Sequence, residues 1–145
     1  HMKKILFVLI YIVIMTSCNR ENIEERIISR HDDGNKKEVY YYKVNNDGSK
    51  TRIRETWYYK EGMIHLDGPI SDDVRNGIFE TYYKSGQLLS RGEFVNGKRE
   101  GKAVTYHENG NIMYEGFYKD GKECGIWKFY DKDGNLYNED NRDLR

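Results

Sequence analysis

From Tyr58 onward the chain repeats itself every 24 residues, and this period restricts the possible folds more than any other feature. Gly62, Gly86, Gly110 and Gly134 form one series, and Gly68, Gly92 and Gly116 a second. Gly77, Gly101 and Gly125 form a third, and Gly97 with Gly121 a fourth. Tyr58, Tyr82, Tyr106 and Tyr130 keep the same spacing, as do Ile64, Leu88, Ile112 and Leu136. Columns held in register over that distance define an array of like units.

Each unit reads as a β-hairpin. "YYKSGQL", "YHENGNI" and "YDKDGNL" set a polar residue before glycine between runs that favour strands. Such pairs suit tight turns because glycine takes positive φ without steric cost. "VNGK" and "KDGK" supply the second turn, on the way to the next hairpin. Strands of roughly 5 to 7 residues follow, joined up and down. The expected fold is all-β: a single-domain array of hairpin repeats forming an elongated, twisted antiparallel meander over residues 38–145. With 13 Tyr, 14 Gly and one Pro among 145 residues, the chain suits half-buried aromatic rows better than a thick aliphatic core.

Strand alternation sorts the side chains. Ile78 with Tyr82, Val104 with Tyr106, and Ile126 with Tyr130 share one face in the first strand of each unit. In the second strand Leu88 goes with Phe94, and Ile112 with Tyr114 and Tyr118, on the parity of Gly92 and Gly116. An inward glycine leaves room for a neighbouring tyrosine ring. Phe79, Trp127, Phe129, Leu89 and Met113 are expected on the opposite face, either covered or open to a partner.

The glycine, tyrosine and aliphatic columns together resemble the MORN repeat in its bacterial variant form. "GIFETYYKSGQLLSRGEFVNGKREG" and "GIWKFYDKDGNL" carry the likeness, which spans about Trp57 to Tyr137 as three units. A degenerate hairpin, "YYYKVNNDGSKTRIRETWYYKEG", precedes them, and "GPISDDVRNG" replaces the usual glycine turn at the first junction. Bacterial chains of this kind also resemble a group labelled YwqK-type antitoxins. The resemblance implies a binding function, with an envelope protein or a toxin as partner and a homodimer as a further option.

The N-terminus reads as an export signal. His1 looks like a cloning remnant; Lys3 and Lys4 then precede the apolar run Ile5–Met15. Its 11 residues fall short of the roughly 20 that cross a bilayer as a helix. "Met15-Thr16-Ser17-Cys18" resembles a lipobox, in which the signal is cut before a cysteine that is lipid-modified. The alternatives are an uncleaved anchor or an ordinary signal with an incidental cysteine. Residues 1–18 are thus the expected signal with lipidated Cys18, and residues 19–37 a charged tether. Several acyl chains would hold the protein on a membrane durably. The expected location is the cell envelope, with the outer membrane preferred.

No catalytic set stands out. His31, His65 and His107 are scattered, without a second His or Cys at ligand spacing. "DKDGN" from Asp131 starts like a calcium loop, but its glycine comes too early and no closing Glu follows. Neither a phosphate-cradling loop nor a nucleophile elbow is present. Balanced charge, 24 basic against 24 acidic residues, gives no field for nucleic acid. Lys98, Arg99 and Lys102 form a local patch only, which weakens phospholipid-headgroup binding as a further reading. With Cys18 lipidated, Cys124 has no disulfide partner and is expected in a turn. The expectation is a non-enzymatic binding protein without cofactor or metal. Phe79, Tyr83, Trp127 and Phe129 are its candidate surface, and Tyr58, Tyr82, Tyr106, Tyr130, Gly86, Gly92, Gly110 and Gly116 its repeat framework.

Overall fold

The computed structural model describes residues 21–144, which form one antiparallel sheet. The signal run and Cys18 lie outside the described residues. The strands are β1 (Ile23–Arg30), β2 (Lys36–Val44), β3 (Lys50–Tyr58), β4 (Ile64–Ser71), β5 (Val74–Arg75) and β6 (Gly77–Tyr82), followed by β7 (Leu88–Val95), β8 (Lys98–Tyr106), β9 (Ile112–Lys119), β10 (Lys122–Tyr130) and β11 (Leu136–Asn141). A 3-10 turn at Arg142–Leu144 follows β11. Every strand pairs with the next, except that the two-residue β5 pairs with β4 before β6 takes its place. The meander expected from the period is the observed fold, and its repeat strands β7 to β10 are longer than expected, at 8 or 9 residues.

Two boundaries differ from the sequence reading. Ile23–Arg30 is a strand, not a tether, and it pairs along β2 from Ile23↔Lys43 to Arg30↔Lys36. Its charged residues are cross-strand partners: Glu25 meets Lys36, and Glu24 meets Lys50. Ile27 lies opposite Val39, which is fully buried. At the first repeat junction, Asp72 and Asp73 take φ of 50° and 62°, matching Asn96 at 49° and Gly97 at 81° in the next. Aspartate tolerates the left-handed region better than most residues, so the two-residue turn survives without its glycine.

Register decides the faces. Beside the five-residue turn of each repeat the pairing slips by one residue: Thr81↔Ser90 is followed by Tyr82↔Leu88, and Thr105↔Tyr114 by Tyr106↔Ile112. The same slip occurs at Tyr58 and Tyr130. One residue of slip exchanges the two faces. Alternation holds away from the turns, and there the assignment between strands is reversed; at the turn end the slip separates Leu88, opposite Tyr82, from Phe94 on the Phe79 face. Phe79, Trp127 and Phe129 share a face with Phe94, Tyr114 and Tyr118, and with the inward glycines. Ile78, Val104 and Ile126 lie on the other face with Tyr82 and its partner Leu88, whereas Leu89 lines the groove of the aromatic face.

Candidate functional site

Across the aromatic face, Glu55, Gly68, Phe79, Gly92, Ala103, Gly116 and Trp127 fall in one row from β3 to β10. Phe79 is 5% exposed and Trp127 3%, so these two candidate surface residues are core. Each ring lies flat against the glycine beside it. A Cβ at Gly68 would stand 2.4 Å from the Phe79 ring, and one at Gly116 2.2 Å from the Trp127 indole. The inward glycines do make room for rings, but the rings are Phe and Trp, not tyrosine. Phe94 packs edge-on to Phe79 at 5.2 Å, and Tyr118 edge-on to Trp127 at 5.4 Å. Phe129 is half-buried, 6.0 Å from Tyr114.

Arginines roof this face, a feature that the sequence reading missed. The Arg75 guanidinium lies 4.8 Å from the Phe79 ring centre and 5.6 Å from that of Phe94. Glu55, itself buried, holds it through two hydrogen bonds of 2.8 and 3.2 Å. Arg142 sits 5.8 Å from Trp127 and is paired to Glu123 and Asp140. Arg99 lies 5.1 Å from Tyr118 and 5.6 Å from Phe94, yet no carboxylate pairs with it among the described residues. The spacing of Arg75 and Arg99, one full period, was the available signal. Between these groups lies a groove of about 190 Å³, walled by Phe79, Tyr114, Tyr118 and Trp127, with no acidic lining residue.

The opposite face is a charged lattice. Arg91 donates to Glu80 at 2.7 Å, Lys102 pairs with Glu115 at 2.8 Å, and Arg54 is paired with Asp67. Tyr82 and Tyr130 donate their hydroxyls to Glu80 and Glu115. The Lys102 ammonium, helped by Tyr130, holds the Glu115 carboxyl below its ordinary value against the effect of burial. Burial, reinforced by Glu80, pushes the Tyr82 phenol up to about 12. Arg99 and Lys102 thus lie on different faces, and the apparent basic patch is divided.

Tyr83 is a strut. Its hydroxyl donates to the Tyr106 carbonyl at 2.7 Å, as Tyr59 does to Tyr82 at 2.8 Å. His107 meets the Tyr130 carbonyl at 3.0 Å and His31 the Tyr58 carbonyl at 2.9 Å. A carbonyl only accepts, so both imidazoles carry the proton on Nε2. One residue at each of these four turns therefore ties its hairpin to the next. Asp131, in the last turn of the series, instead accepts from its own Asn135 and Asp133 backbone N–H groups. Gly86 and Gly110 close these turns through bonds to the Tyr83 and His107 carbonyls.

Among the described residues, no group of three or more His, Cys, Asp and Glu is arranged to hold a metal ion. Cys124 is a free thiol within β10, not in a turn, opposite Phe117. Three consecutive segments, residues 75–96, 99–120 and 123–143, match the MORN repeat variant, so the chain carries three such repeats. No curated protein matches the chain. A crystal structure of TarM contains a stretch similar to it, at 16% identity and a TM-score of 0.33, covering 81% of this chain. The chain spans 19% of that protein.

Proposed function

We propose that this is a non-enzymatic binding protein, held at the bacterial envelope through a lipid on Cys18, which presents its aromatic repeat face to another protein. The single observation that supports this most is the groove between Phe79 and Trp127, with Arg99, which no carboxylate pairs among the described residues, beside it. No α-helix or second sheet covers that face among the described residues; Arg142, in the 3-10 turn, lies over its Trp127 end. Rigid aromatic walls and a cation suit protein recognition, since aromatic and arginine side chains dominate binding energies at interfaces. The charged lattice opposite is paired within itself and suits solvent.

The experiment is cross-linking in native cells, purification through a C-terminal tag and mass spectrometry of what is attached. Recovery of one stoichiometric partner that no longer cross-links when Arg99 is replaced by Glu supports binding through this face. Recovery of the chain alone overturns the reading. A partner encoded beside it, toxic only in its absence, would mark the chain as an antitoxin. Labelling with a radioactive fatty acid, lost on Cys18→Ala, tests the anchor independently.

A further inference from the structure

The groove arises where two columns of the repeat both lack a ring. In the first column, 24 residues apart, stand Glu55, Phe79, Ala103 and Trp127; in the second stand Trp57, Thr81, Thr105 and Phe129. Only the pair Ala103 and Thr105 carries a ring in neither column. Phe79 covers Gly68 and Trp127 covers Gly116, but Gly92 has only the Ala103 methyl, 3.7 Å from where its own Cβ would be. The middle repeat therefore lacks the ring that its neighbours supply, and the groove lies over that position. One side is polar: Thr81, Ser90 and Thr105 are aligned across β6, β7 and β8, with the first two bonded to each other at 2.6 Å. At the other side stands Arg99. Its equivalent one repeat earlier, Arg75, is neutralised by Glu55, whereas Arg99 has no carboxylate among the described residues. Trp127, a wall of the groove, has a buried Nε1–H without an acceptor.

We infer that the groove is a socket for one aromatic side chain of a partner protein, with an adjacent partner carboxylate on Arg99. The ring completes the aromatic row across Gly92, as Phe79 and Trp127 complete theirs. Its volume of about 190 Å³ suits one ring: a cavity of about 150 Å³ in another protein holds benzene. The positive rim and the absence of acidic lining select an acidic segment over a basic one. This inference rests on the protein-binding reading above and gives it a chemistry.

The test uses the folded chain and a synthetic peptide with a central Phe flanked by Asp on both sides, followed by NMR titration. Binding is expected to centre on Gly92, Ala103 and Tyr118. It should weaken about tenfold or more when Leu replaces the Phe, the loss of one good contact. Arg99→Ala should weaken it about two- to fivefold, as for an exposed ion pair. Ala103→Phe fills the socket from within and should abolish binding, while a retained or raised Tm shows that the variant folds. Equal binding of the Phe and Leu peptides, or binding that survives Ala103→Phe, overturns the socket. Equal affinity for free N-acetyl-phenylalanine would replace the partner protein with a small aromatic acid. Self-association abolished by Ala103→Phe would replace it with a second copy of this chain. In cells, a partner cross-linked equally by wild type and Ala103→Phe refutes the socket and leaves protein binding intact. Capture of nothing, with the peptide still bound in vitro, refutes the protein-binding reading instead.

Discussion

The outer and middle repeats share a backbone and differ in what lies over one inward glycine. In the outer two, Phe79 and Trp127 press on Gly68 and Gly116 closely enough to forbid a Cβ. In the middle one, Gly92 meets a methyl at ordinary contact distance. The same column position is thus closed core twice and an open recess once. A repeat fold allows this because each unit is stabilised mainly by its neighbours, so one unit can lack a ring while those beside it hold the sheet.

Removing a ring from an outer unit should have the largest effect. Trp127→Ala is expected to cost about 3–5 kcal/mol, read from chemical denaturation, because it empties the best-buried aromatic position. Gly116→Ala should cost about 1–3 kcal/mol by forcing the indole off its seat, and Gly68→Ala should do the same to Phe79. Gly92→Ala, the matching change in the middle unit, should stay within about 0.5 kcal/mol. Equal losses at Gly92 and Gly116 would remove the distinction between the units. Tyr83→Phe, which cuts one tie between hairpins, should cost about 1 kcal/mol.

The smallest effect concerns pH and the charged face, which all units share. Glu115 is held below its ordinary value of 4.5 in the folded state. The stability it contributes is complete above that value and is lost as pH falls through the lower folded one. Glu115→Gln should flatten this part of the acid limb in thermal melts at pH 5 down to 3. An unchanged slope would show that Lys102 and Tyr130 do not hold the carboxylate in solution.

Glycine and tyrosine columns announced hairpins, turns and meander because turn chemistry and strand alternation are local. β1 escaped notice because its charges, such as Glu24 and Glu25, gain sense only from lysines on other strands. The ties from Tyr59, Tyr83 and His107 formed a readable column one place beyond the Tyr58 series, but the change from tyrosine to histidine disguised it. Of the four proposed surface residues, Phe79 and Trp127 proved to be core and Tyr83 a strut, while half-buried Phe129 shares the groove's face. Arg99, not among them, stands at the groove.

The sequence alone determined the period, the hairpin units, the two-residue turns and the alternation along each strand away from its bulge. Those depend on φ preferences and on side chains alternating along a single strand. Only the tertiary structure decided which parities share a face, since the one-residue slip beside Tyr58, Tyr82, Tyr106 and Tyr130 is a property of paired strands. That slip brings Phe79 and Trp127 over the glycines and leaves Ala103 between them, and the recess exists because of it.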